Sequence, residues 1–319
     1  MRSPIGPLGQ FLCLEAMGRA TQGVLGSPLG SREGPRLVRY TPRVPSRSIL
    51  ESLAYVNWAL LFSLSLGSLA TVVLLRWRMD ASRGYLTFAA ACAALLAGLT
   101  YLLDGGLPAP ESLSIHAAPA ALEAVRRGGL AVLTVLAAAE VIARSRSARR
   151  PWFGLAGIGA GVVVALAAGL GWAGPTWPGL AIAAQLLVLA AATGGVLAAM
   201  ILGHWYLVTP RLSEGPLILA ARALTAVVVL QIVLFGVWTA LGIGPYGPFA
   251  VLTGGEAFFV WLRLVVSLVF PLVLTMMAVR TARTRSMESA TGLLYIDTAA
   301  IFAGTIVAAA LLFGAGVIV

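Results

Sequence analysis

From about residue 52 onward the chain is a succession of apolar runs, each about as long as a lipid-spanning helix and each closed by a short polar loop. The hydrocarbon core of a bilayer is about 30 Å thick, which an α-helix crosses in about 20 residues. Eight runs are present, at about 52–75, 85–104, 127–143, 152–173, 180–208, 216–242, 257–281 and 292–317. Lipid offers no partner to backbone N–H and C=O groups, so only helices or closed barrels span it. A barrel strand alternates apolar and polar residues over about 10 positions, and none of these runs does. The predicted fold is therefore all-α: a polytopic integral membrane helix bundle of about eight transmembrane helices over residues 51–319. The fifth and sixth runs exceed the minimum length and are expected to tilt or project beyond the hydrocarbon. No sequence repeat relates the first four runs to the last four.

Composition excludes the soluble alternatives. Of the 319 residues, 59% are hydrophobic and 11% are charged, against about 25% charged in a soluble domain. The net charge of +10 comes from 22 basic residues, all of them Arg. Most sit in short loops, where they set topology, so no nucleic acid is expected as a partner. The absence of Lys beside abundant Ala, Gly, Leu and Val points to a GC-rich bacterial genome. The expected location is the bacterial cytoplasmic membrane, multi-pass, with the lipid bilayer and other membrane subunits as partners. Two cysteines, Cys13 and Cys92, do not make a disulfide framework or a thiolate metal site.

Residues 1–50 differ from the rest. Seven Arg, two acids (Glu15 and Glu33) and much Gly, Pro and Ser predict a disordered basic tail, or else a start placed too far upstream. The patch Phe11–Leu14 is too short for a signal-peptide core. Loops after the odd-numbered spans hold eleven Arg, those after the second, fourth and sixth essentially Arg126 and Arg127. The odd loops therefore face the cytoplasm and both termini the outside. The Arg-rich tail runs against this, and the third span, headed by Arg126 and Arg127, is the weakest.

The fourth span carries Gly157, Gly161, Ala165, Gly169 and Ala173 at a spacing of four. That spacing gathers small side chains on one face and predicts close helix packing. Ionisable groups inside spans are the stronger pointer to function, because burying one costs roughly 2.5–3.5 kcal/mol on insertion scales. At similar cytoplasmic depth lie Glu140, His204 with Tyr206, Arg222 and Asp297. These predict an intramembrane polar pocket, with Arg222 paired to Asp297 across the sixth and eighth spans and His204 close by. Glu140 is expected to pair with Arg144 one turn on. An outer polar cluster comprises Asp104, Glu256 and Arg263, with Asn57 and Gln185 near and Asp104 the expected partner of Arg263. Gln231, alone in the sixth span, is expected to bond a neighbouring helix.

No phosphate loop, dinucleotide fingerprint, HExxH or GxSxG is present. The two histidines, His116 and His204, fall on opposite sides, so haem is disfavoured, no metal site or catalytic residue is assigned, and enzyme status is left open. The favoured function is a non-catalytic membrane subunit of a respiratory or redox assembly, touching quinone through the cytoplasmic polar pocket. The alternative is a transporter or permease for a small solute or ion.

Overall fold

The structure, a computed structural model, describes residues 45–79, 81–111, 113–145, 151–173, 177–209 and 212–319. The tail 1–44, and with it most of the expected disordered segment, lies outside the described residues. Everything below concerns the compact unit Val44–Val319.

The unit is an all-α membrane bundle. In chain order the helices are α1 (Pro45–Arg78), α2 (Arg83–Asp104), α3 (Ala120–Ser145), α4 (Trp152–Ala173), α5 (Trp177–Val208), α6 (Gly215–Leu241), α7 (Ala257–Leu264), α8 (Phe270–Arg283) and α9 (Met287–Ala315). A π-helical turn, Val265–Val269, fuses α7 and α8 into one rod over Ala257–Arg283. Among the described residues, seven helices or rods are long and apolar enough to cross a membrane. α3 is the eighth of comparable length, and its charges Glu123, Arg126, Arg127 and Glu140 set it apart from those seven. It nevertheless packs along α2 and α4.

Two helices form the interior. α1 packs on α2, α4, α5 and α9, and α5 on α1, α4, α6 and α9. They cross where Gly67 meets Ala190 and Gly194. A Cβ on Gly67 would lie 1.8 Å from the Ala190 carbonyl oxygen, and one on Gly194 2.3 Å from the Ser68 nitrogen. Only glycine permits backbones this close. The face Gly157, Gly161, Ala165 and Gly169 is buried. It lies against Leu66 and Leu69 of α1 and, at Gly169, against Gly179 and Ala183 of α5. α6 and α9 end on Gly242 and Gly316, both left-handed (φ 63° and 68°), where a side chain would be strained.

The π turn has a local cause. Pro271 has no N–H, and its ring crowds the carbonyl four residues back, that of Ser267, so the regular ladder widens there. The opposing residue on α9 is Gly304, where a Cβ would meet Ser267 Cβ at 2.2 Å and Arg263 Nη1 at 2.7 Å. The irregular turn, the glycine and a buried arginine therefore form one contact.

Candidate functional site

The buried charges fall into two classes, those with partners and those without. Glu140 is fully buried and accepts from Arg76 of α1. Its other oxygen, Oε2, accepts from the Gly154 backbone N–H at 3.1 Å. Gly154 is in the first turn of α4, so the carboxylate both pairs with a cation and caps a helix N-terminus. Arg76, on a neighbouring helix, is a partner that the local spacing around Glu140 did not suggest. The expected pairing with Arg144, whose side chain is not among those described, falls outside the described residues.

At the other end of the bundle Asp104 closes α2. It accepts from Trp58 Nε1 at 2.9 Å and from Arg126 Nε at 2.8 Å. The Arg126 guanidinium also stands 5.3 Å from the Trp172 ring centroid. Around it Trp58, Phe62, Tyr55, Trp172 and Phe313 pack ring on ring at 5.1–5.6 Å. The outer cluster is therefore corrected: the partner of Asp104 is Arg126, not Arg263. Glu256 stands at the start of α7 and makes no capping bond. Asn57 is exposed.

The pocket expected from His204, Tyr206, Arg222, Asp297 and Glu140 is not brought together. Arg222 is exposed on α6, which packs on α5 and α8, whereas Asp297 is fully buried on α9. The Arg222–Asp297 ion pair does not form, because similar depth on two helices says nothing about whether they are neighbours. Tyr206 is buried and donates to the Ser213 carbonyl. His204 is exposed, its Nδ1 3.4 Å from the Tyr295 hydroxyl.

What remains is Asp297. It is 0% exposed, and among the described residues neither carboxylate oxygen has a hydrogen-bond partner. It is the eleventh residue of α9, roughly 15 Å along the axis at 1.5 Å per residue. α9 is locked to α5 on both sides of it: Thr291 sits against Gly203, and Thr305 Oγ1 lies 2.6 Å from Thr193 Oγ1. Two turns beyond Asp297, roughly 10 Å along the helix, is Gly304 with Ser267 and Arg263 opposite. Arg263 is 2% exposed, and its Nε has no partner among the described residues. Further along, Gln185, Gln231, Arg263 and Val319 line a cavity of about 10 Å³, close to the lower limit for one water. Gln231 donates to the Val188 carbonyl of α5 at 3.3 Å, the neighbouring-helix bond expected of it, and Gln185 accepts from Val319 N–H at 3.1 Å. Polar groups thus succeed one another along α9, from His204 and Tyr295, past Asp297 and the Thr193–Thr305 pair, to Arg263 of α7 and the glutamines of α5 and α6.

Among the described residues no three His, Cys, Asp or Glu side chains converge on one point. No protein-family model, curated protein or solved structure matches the chain.

Proposed function

We propose that this multi-pass membrane protein passes protons through its bundle along α9, with Asp297 as the carrier carboxylate. The observation that carries this reading is the unpartnered burial of Asp297. A charge inside a membrane bundle is expensive and is kept where it handles ions. An ionised carboxylate without a partner there is costly, so the group holds a proton or meets a passing cation. A metal cation would need several more oxygens around it, whereas a proton needs one. Ser, Thr and Gln side chains and trapped water can relay protons because they both donate and accept.

The test is reconstitution of the full chain in vesicles with an internal pH dye and an imposed potassium potential. Proton entry is expected with the natural sequence and with Arg222→Gln, and a loss of at least tenfold with Asp297→Asn. Equal proton flux in Asp297→Asn would overturn the reading.

A second reading, a non-catalytic membrane subunit of a respiratory or redox assembly in a bacterial cytoplasmic membrane, is supported by the use of the other buried charges. Glu140–Arg76 and Asp104–Arg126–Trp58 tie helices together, as suits a rigid membrane anchor. Gentle solubilisation from the source membrane should then retain haem- or flavin-bearing partners, and isolation of the chain alone would remove this reading.

A further inference from the structure

At the end opposite the arginine-rich loops a cavity of about 360 Å³ opens between the ends of α4, α5, α6 and α9. That volume is within the range of small-molecule sites, about 300–1,000 Å³. Its inner wall is apolar and rigid: Trp172, Ile182, Leu312 and Ile318 line it, and Trp172 is held by Tyr55, Trp58 and Phe313 edge to face. The polar side chains of the lining are Ser114 and His116, both exposed.

The hydrogens of these two groups are already committed. Ser114 Oγ donates to the Gly314 carbonyl at 2.9 Å. His116 Nδ1 is 3.3 Å from the Trp172 carbonyl oxygen, which also accepts the His116 backbone N–H at 2.8 Å. A carbonyl only accepts, so in the neutral ring the hydrogen sits on Nδ1 and Nε2 keeps its lone pair. Ser114 likewise has only lone pairs left to offer. Both side chains therefore present acceptors beside an apolar slot. A ligand matching this has a flat apolar body and hydroxyl groups that donate. A molecule with carbonyls alone would set acceptor against acceptor.

We propose that this cavity is a binding site for a hydroquinone-class molecule, its ring in the slot between Pro178, Ile243 and Pro245 and its hydroxyls donated to His116 Nε2 and Ser114 Oγ. The site discriminates against the oxidised quinone, which has no hydroxyl to give. It is separate from Asp297 and does not depend on proton passage or on partner subunits. A quinone contact was expected at the arginine-rich end, through His204 and Tyr206; the cavity lies at the opposite end.

The test uses the full chain in lipid nanodiscs under anaerobic conditions, titrated by calorimetry with tetramethylhydroquinone and with tetramethylquinone. Saturable binding of the hydroquinone is expected, with the quinone weaker by at least about tenfold, because both of its oxygens face acceptors. His116→Ala should weaken the hydroquinone by a similar factor and leave the quinone unchanged. Filling the cavity with Ile182→Trp should abolish both. Because Ile182 is buried and this variant can fail to fold, Pro245→Trp at the exposed rim provides a second block. Absence of saturable binding, equal affinity for the two redox forms, or binding that survives the Pro245→Trp block would each overturn the proposal.

Discussion

Asp104 and Asp297 share a side chain and a degree of burial, and differ in what surrounds them. Asp104 receives the Trp58 indole and the Arg126 guanidinium inside a packed aromatic cluster. Asp297, on α9, receives nothing among the described residues. In the first region a charge is neutralised by groups from α1 and α3, and the result is a strut joining three helices. In the second the helix is held by its neighbours above and below the carboxyl, at Thr291 and at Thr305, so the fold does not need the carboxyl for packing. A buried acid that stabilises is recognised by its donors. A buried acid that lacks them is the better candidate for chemistry.

The largest effect that would test this contrast is at the strut. Arg126→Leu leaves Asp104 buried without its cation, and removing one partner of a buried ion pair costs about 3–5 kcal/mol. Thermal unfolding in detergent should show a large fall, and the Asp104→Asn, Arg126→Leu double variant should recover part of it. A fall no greater than that of a surface substitution would mean the pair carries nothing.

Next is the contact beside the unpaired region. Gly304→Val places a side chain where Ser267 and Arg263 already stand, at 2.2 Å and 2.7 Å from the first added carbon. Overpacking of this kind costs about 1–3 kcal/mol, and α9 should be displaced from the π turn. Unchanged stability would show that this contact is loosely packed.

Asp297→Asn is expected to change stability little, by less than about 1 kcal/mol, because no partner is stranded. Combination with Arg222→Gln should be additive within about 0.5 kcal/mol, as for sites that share no contact. A coupling well above that would restore the Arg222–Asp297 pair, and a large loss from Asp297→Asn alone would return Asp297 to the structural class.

The smallest effect belongs to the exposed pair Glu214–Arg285, with Nη2 to Oε2 at 2.7 Å. Its hydrogen bond and charge hold the Glu214 carboxyl below the ordinary carboxylate range. The pair's contribution is therefore present above that range and lost as pH falls through the lowered value. Glu214→Gln should remove that small acid-side dependence and leave the melting temperature at neutral pH and moderate salt unchanged. A clear shift at neutral pH would show that the pair fixes the turn before α9.

The membrane class and the span positions were legible because they depend on composition and run length, which lipid thickness and backbone hydrogen bonding translate directly into helices. Pro271 behaves differently. It lies inside the seventh apolar run without interrupting its hydropathy, yet it produces a π turn whose partner, Gly304, is on the following helix, linked by no sequence pattern but adjacent in space. The spacing of four in α4 is visible in the sequence, and Ala190, Gly194 and Ala198 repeat it in α5, but only the structure shows that the closest crossing lies at Gly67 and Gly194. In the sequence Arg76 and Arg126 are topology charges. Their second role, as partners of Glu140 and Asp104, depends on which helices are neighbours.

The sequence by itself determined that the chain crosses a bilayer as helices, about where each begins and ends, and at which end its arginines gather. These follow from solvation, a property of each residue and its near neighbours along the chain. Only the tertiary structure decided which buried charges meet. Arg222 and Asp297 share a depth but not an interface, since α6 packs on α5 and α8. Arg126 and Asp104 meet because α2 and α3 pack side by side. Pairing depends on which faces of which helices are apposed, and in a bundle that is fixed by close approach at small residues such as Gly67, Gly194 and Gly304, not by the depth at which each charge is carried.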